Sequence, residues 1–251
     1  MKTRGRGGIA SQAIACGGGP WPPHVLLGIG LALLTSAVSR GAEPDVPSPD
    51  AGGAAPATAR WEAEIADFER QDAKSPPAEN GILFVGSSSI RLWKLGDHFA
   101  DLPVINRGFG GSELADSVHF APRIVLPYRP RTIVLYAGDN DLARGKSPEM
   151  VREDFEAFTR VVHEVLPETR IVFISIKPSP QRWALRSKMR AANQQIRAVA
   201  ERDPRITFVN VASLMLGADG EPRAELFQAD GLHLSAAGYR LWSSLLRPHL
   251  E

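Results

Sequence analysis

The chain is short of the residues that most often declare a chemistry. One cysteine, Cys16, stands among 251 residues. With no second thiol there is no disulfide framework, no Cys/His zinc site and no thiol nucleophile in the body of the chain. Six histidines are present. His24, His98, His119, His163 and His249 show no metal-ligand spacing with His233, so no metal is expected. Surplus charge is lacking too: 29 Lys and Arg against 28 Asp and Glu leave +1, which gives no basic footprint for nucleic acid. The uncharged, mostly apolar run Val25 to Val38 has 14 residues, fewer than the ~18–20 of a spanning helix. No internal repeat is visible.

What is present begins with a basic, Gly-rich segment. Lys2, Arg4, Arg6 and Arg40 precede the first acid, Glu43. A basic stretch, a short apolar run and then small residues (Ala37, Ser39, Ala42) match the plan of a secretory signal. Residues 1–42 are therefore expected to be a targeting segment, with an uncleaved anchor or a buried segment as alternatives. The expected location is secreted or periplasmic, with no stable membrane insertion once the signal is removed. Residues 43–59 are rich in Pro, Ala, Gly and Asp and read as a disordered linker. Trp61, Ile65 and Phe68 recur at helical spacing among charges, so the folded domain is expected over 60–251.

From there the pattern alternates. The apolar runs Ile82–Val85, Val104–Ile105, Thr132–Tyr136, Ile171–Ile176 and Ile206–Val211 read as buried strands. Val151, Phe155, Phe158, Val162 and Val165 share one helical face, opened by Ser147 and Pro148 as N-cap and first residue. Met189, Ala192, Ile196 and Val199 share another. A last helix starts at Ser235 and carries Tyr239, Trp242 and Leu245 or Leu246. Strands alternating with helices predict an α/β fold: a parallel sheet of about five strands with helices on both faces.

Four clusters punctuate this pattern. Gly86-Ser87-Ser88-Ser89 ends the first strand abruptly, and ligands gather beyond the carboxyl ends of strands in such sheets. Alone, it reads more simply as a polar turn that caps the next helix. Asn106-Arg107-Gly108-Phe109-Gly110-Gly111 follows the second strand, and its glycines can expose backbone amides as donors. Gly138-Asp139-Asn140-Asp141 follows the third, and an Asn side chain can donate to an oxyanion. Asp230-Gly231-Leu232-His233 precedes the last helix. A carboxylate three residues from an imidazole, across a glycine, can fold back onto a ring N–H and free the other nitrogen to act as a base. Together the four supply nucleophile, base, orienting acid and oxyanion donors for acyl transfer. The order Ser, Asp, His matches the α/β-hydrolases, but Ile90 stands where their GxSxG elbow needs its second glycine.

These blocks resemble those of the SGNH (GDSL-type) esterase and lipase superfamily, in order and over roughly Gly81 to Leu246. The group similar to the platelet-activating-factor acetylhydrolase catalytic subunits is nearest in feel. The resemblance implies a three-layer α/β/α sandwich like flavodoxin. It implies Ser88 as nucleophile, His233 as base and Asp230 as its orienting partner. It places the oxyanion hole at the Ser88 and Gly111 amides and the Asn140 side chain, with no metal or organic cofactor. Ser87 stands where the family usually has Asp, so Ser87 and Ser89 remain rival nucleophiles by motif. The expected activity is that of an exported serine esterase acting on a small-molecule or carbohydrate ester, with short acyl chains and acetyl groups foremost. An O-acyltransferase acting on glycans and a non-catalytic glycan-binding module are the alternatives. The segment Lys177 to Trp183 reads as either a pocket rim or a surface loop with one anchoring aromatic. Oligomeric state is left open.

Overall fold

The computed structural model describes residues 57–250. The expected signal segment and most of the expected linker lie outside the described residues. A 3-10 turn at Ala57–Trp61 already takes in the last three linker residues.

Five parallel strands form one sheet: β1 (Ile82–Gly86), β2 (Val104–Gly108), β3 (Thr132–Tyr136), β4 (Arg170–Ile174) and β5 (Ile206–Val209), in the order β2-β1-β3-β4-β5. This is the flavodoxin-like order. The helices are α1 (Glu62–Lys74), α2 (Ser88–Arg91), α3 (Leu114–Ile124), α4 (Asp139–Ala143), α5 (Pro148–Val165), α6 (Arg186–Ala200) and α7 (Ala236–Leu246). No helix among the described residues is long and apolar enough to cross a membrane.

Alternate strand residues point to opposite faces, and each face has its own core. Leu83, Val85, Ile133, Leu135, Ile171 and Phe173 pack with residues of α1, α3, α5 and α6. Ile82, Phe84, Val134, Tyr136, Val172 and Ile174 pack with Trp93, Phe99 and the α7 residues Tyr239, Trp242 and Leu246. The strands are apolar on both faces because helices cover both, which gives the three-layer sandwich. Ser147 caps α5, its hydroxyl accepting from the Met150 amide at 3.3 Å, and Ser235 caps α7 through the Gly238 amide at 3.2 Å.

β2 runs longer than its apolar residues announce, taking in Asn106, Arg107 and Gly108. It is an edge strand, paired to β1 alone, so its polar side chains find partners beside the sheet. Asn106 Nδ2 donates to the carbonyls of Ile90 (2.8 Å) and Trp93 (3.2 Å). Arg107 meets Asp72 and the Tyr128 hydroxyl. β4 and β5 each stop two residues short of their apolar runs. Beyond them, Ser175 accepts the amides of Val211 and Ala212 at 3.0 Å through its hydroxyl, which ties the two strand ends together.

The chain leaves β1 for β2 on one side and returns to β3 on the other. The crevice between the carboxyl ends of β1 and β3 is thus the switch point of the sheet, where ligands bind in open α/β folds. Ser88 follows β1, and Asn140 follows β3.

Candidate active site

The serine turn is shaped by Gly86. Its φ is +133°, and a Cβ there would sit 1.9 Å from the Tyr136 carbonyl oxygen. Only glycine lets β1 end this close to β3 and turn away. Ser87 then donates its amide to the same carbonyl at 3.0 Å, and its own carbonyl accepts from Ile90 and Arg91 to start α2. The three serines diverge. Ser87 is 1% exposed and its hydroxyl has no partner; it occupies the N-cap position without making the side-chain cap that a serine there would be expected to make. Ser89 is also 1% exposed, and its carbonyl accepts from the Tyr239 hydroxyl at 3.0 Å. Ser88 alone of the three opens onto the crevice, with Oγ 3.2 Å from His233 Nε2.

The other ring nitrogen, Nδ1, lies 2.6 Å from Asp230 Oδ2. Asp230 Oδ1 accepts the amides of Leu232 and His233, both at 2.9 Å. The hydrogen bond from the His233 side chain and those two amides hold the Asp230 carboxyl down at about 2. An ionised Asp230 accepts the hydrogen bond of Nδ1–H, so Nε2 presents a lone pair to Ser88. The loop that achieves this is closed at several points. Gly231 turns at φ +63°, Gln228 donates to the His233 carbonyl at 2.8 Å, and Gln181 donates to the Gly231 carbonyl at 3.0 Å.

Gly111 sits at φ +75° in the loop after β2. Trp61 Nε1 holds that loop through the Gly110 carbonyl at 2.9 Å, and the Phe109 amide through the Gly86 carbonyl at 2.8 Å. The Ser88 and Gly111 amides donate to no acceptor among the described residues. Asn140 is fixed at both ends of its amide. Nδ2 donates to the Ser112 carbonyl at 2.9 Å, and Oδ1 accepts from Arg182 Nη2 at 2.9 Å. That pairing sets which end is nitrogen, and it leaves one Nδ2 hydrogen free. Ser88, Gly111, Asn140 and His233 line one open depression of about 440 Å³, with Leu232, Gly110, Glu64 and the arginines 91, 144 and 182 around them. Asp230 stands behind His233. The structure thus brings all five predicted site residues together.

Motif reading misses the layer beneath. Asp139, 4% exposed, receives Lys177 Nζ at 2.9 Å and lies 3.1 Å from Arg182 Nη1. Burial alone would raise the Asp139 carboxyl, but the two cations outweigh it and keep it below the usual range. Lys177 is 1% exposed and also donates to the Tyr136 hydroxyl at 3.0 Å. Burial, then the nearby Asp139 charge, push that phenol up to about 12. The chain Lys177–Asp139–Arg182–Asn140 therefore runs from the core to Asn140, the expected oxyanion donor. Asp141 points away from the crevice and accepts the Leu114 amide at the start of α3 at 3.1 Å. The candidate rim segment splits. Lys177 lies beneath the site and Arg182 lines it, while Trp183 turns to a neighbouring cavity of about 420 Å³ beside Met189 and Phe208. The cause is local: Arg182 breaks the helical turn (φ −117°, ψ 23°), so adjacent side chains diverge.

A serine, an imidazole and a carboxylate in series at the carboxyl edge of a 2-1-3-4-5 sheet give the layout of an α/β/α ester hydrolase. Residues 91–241 match the profile of the GDSL-like lipase/acylhydrolase family, and the chain belongs to that family. The family match starts at Arg91, three positions after Ser88, so it does not itself take in the serine turn. The chain is similar to platelet-activating factor acetylhydrolase IB subunit alpha1 of Bos taurus, with 28% identity over 176 residues, 66% of this chain and 73% of the relative. Its fold is shared with a GDSL-like lipase of Bacteroides thetaiotaomicron (TM-score 0.66, 20% identity, 75% of this chain and 97% of that one). It is shared also with a carbohydrate esterase family 3 protein of Talaromyces cellulolyticus (TM-score 0.55, 14% identity, 67% and 95%).

Proposed function

We propose that this protein hydrolyses short-chain carboxylic esters through an acyl-serine intermediate on Ser88. The observation that carries this reading is the unbroken contact Asp230–His233–Ser88. His233 Nε2 accepts the Ser88 proton as Oγ attacks the ester carbonyl. The ionised Asp230 holds the ring orientation and favours the imidazolium that forms. The carbonyl oxygen, now negative, is met by the Ser88 and Gly111 amides and the free hydrogen of Asn140. Such donors are fixed before the reaction starts, so they need no reorganisation when charge develops. The imidazolium protonates the departing alcohol, and water attacks the acyl-serine by the same route in reverse.

A short acyl group fits the depression, which is open and has Leu232 as its one large apolar lining residue. The acetyl group in the name of the bovine relative and the carbohydrate esterase among the shared folds point the same way, to acetyl esters of small molecules or sugars. The basic start and apolar run before residue 43 support export of the enzyme. A glycan-binding module would have no use for a serine in register with an Asp–His pair.

The test is turnover of a p-nitrophenyl ester series from acetate to long chains, with Ser88→Ala alongside. The reading expects acetate or butyrate to be best and Ser88→Ala to lose at least about 10³ in kcat/KM. Full activity in Ser88→Ala contradicts it. Supplying glycan acceptors in the same assay separates hydrolysis from acyl transfer.

A further inference from the structure

Three guanidinium groups gather around the oxyanion donors, and none of them hydrogen-bonds to Ser88, His233 or Asp230. Arg91 ends the helix that begins at Ser88. A Cβ on Gly110 would lie 2.9 Å from Arg91 Nε, so this side chain rests against the glycine loop. Arg144 Nη2 lies 3.9 Å from the place of a Gly111 Cβ. Arg182 donates to Asn140 Oδ1. The three come from separate parts of the chain, and all line the depression that holds Ser88 and His233.

Their charges are incompletely answered. The partner of Arg182, Asp139, is shared with Lys177. The partner of Arg144, Glu113, is shared with Lys146. Arg91 has no ion pair among the described residues. Glu64 is the one carboxylate in the lining. A chain of net charge +1 thus concentrates positive charge where the substrate must lie. Arginines on a solvated face would be ordinary, but three converging on a reaction centre demand a ligand that suits them. A guanidinium is a planar fork of donors matched to carboxylate and phosphate oxygens.

We infer that the substrate is an ester bearing an acidic group, a carboxylate or a phosphate, whose anionic oxygens are held by Arg91 together with Arg144 and Arg182. This rests on the esterase reading and adds the charge of the substrate to it.

The experiment compares matched esters with the full chain. On the alcohol side these are 4-acetoxybenzoate (anionic), 4-acetoxybenzamide (neutral) and 4-acetoxyphenyltrimethylammonium (cationic). On the acyl side they are 4-nitrophenyl hydrogen glutarate and 4-nitrophenyl valerate. Each kcat/KM is divided by the rate of alkaline hydrolysis of the same ester. In at least one arm the anionic ester is expected to exceed its neutral match by about tenfold, a difference of about 1.4 kcal/mol. The advantage shrinks as salt is added, and the cationic ester is the poorest. Arg91→Gln is expected to bring the anionic-to-neutral ratio to within about twofold of one, and Arg144→Gln to lower it. The arm that responds tells whether the acid lies on the alcohol or the acyl part. Calorimetric binding of 4-acetoxybenzoate, 4-acetoxybenzamide and both acyl-side esters to Ser88→Ala reads the same preference without turnover. No anionic preference in either arm, or a preference that Arg91→Gln leaves intact, overturns the inference. Neutral esters still cleaved in a Ser88-dependent way would then leave the esterase reading standing. Anion-selective binding to Ser88→Ala with no ester cleaved by the native chain would do the reverse.

Discussion

Arg182 donates to Asn140 Oδ1 at 2.9 Å, across 42 positions of sequence. The contact fixes the Asn140 amide so that its nitrogen faces the Ser112 carbonyl and the crevice. It also draws electron density toward Oδ1, which makes the remaining Nδ2 hydrogen a better donor. The proposed oxyanion donor Asn140 is therefore held from behind by a cation that is itself held by buried Asp139.

Loss of the donor and loss of its support should differ in size. Asn140→Ala is expected to lower kcat on a neutral acetate ester about 10²–10³-fold with little change in KM. Arg182→Ala should lower it less, about tenfold. The double variant should be no worse than Asn140→Ala alone, because Arg182 acts on this step through Asn140. Steady-state kinetics on the four proteins checks this, and additive losses would show that Arg182 acts independently.

The buried pair beneath the site makes a stability prediction. Lys177→Met leaves Asp139 with Arg182 as its remaining cation. The expected loss in denaturant unfolding is below the ~3–5 kcal/mol of a buried charge left with no partner, because Arg182 stays. Adding Asp139→Asn to Lys177→Met should recover part of that loss, since the buried carboxylate then left to Arg182 alone loses its charge.

Ser87 gives a contrast with Ser88. Its hydroxyl is buried and unpartnered, so Ser87→Ala removes nothing that binds. Stability is expected to stay within about 1 kcal/mol of the parent, and to rise if it moves. Ester turnover should remain within about threefold, a change worth less than 1 kcal/mol.

Acid stability should carry the mark of Asp230. Its carboxyl titrates at about 2 in the folded chain and near ~3.9 when unfolded. The unfolded chain therefore binds its proton first as pH falls. The contribution of Asp230 is complete above about pH 5 and is lost as pH falls through 2 toward about 1. Thermal melts between pH 2 and 5 are expected to fall more steeply for the parent than for Asp230→Asn. Parallel curves would contradict that assignment.

These contacts also show what a sequence reader can and cannot see. β1, β3 and β4 are legible because helices cover both of their faces, so Ile82–Val85, Ile133–Leu135 and Ile171–Ile174 are apolar without a break. β2 is half hidden, since Asn106 and Arg107 satisfy themselves at the sheet edge. α2 and α4 have four and five residues, too few to display a 3.6-residue period, although they carry Ser88 and Asn140. α3 escapes notice because polar Asp116 and Ser117 are buried on it and Pro122 lies inside it. The site blocks are readable because each is a local run with its own backbone geometry. Lys177 and Arg182 stand out in the sequence only as ends of a Pro-rich segment after the fourth strand, not as partners of the Gly138–Asp141 block. Only folding brings them to Asp139 and Asn140, and no spacing in the chain announces that.

The central claim is that Ser88 becomes acylated. The native chain, mixed with an acetyl ester and quenched in acid within milliseconds, can be digested with trypsin. The peptide from Ser75 to Arg91 contains all three serines of the turn, and fragmentation in the mass spectrometer separates them. The account predicts an acetyl group on Ser88, absent in Ser88→Ala and lost also in His233→Ala, which lacks the base that takes the Ser88 proton. Acetyl on Ser87 or Ser89, or steady hydrolysis by a Ser88→Ala protein, would contradict it.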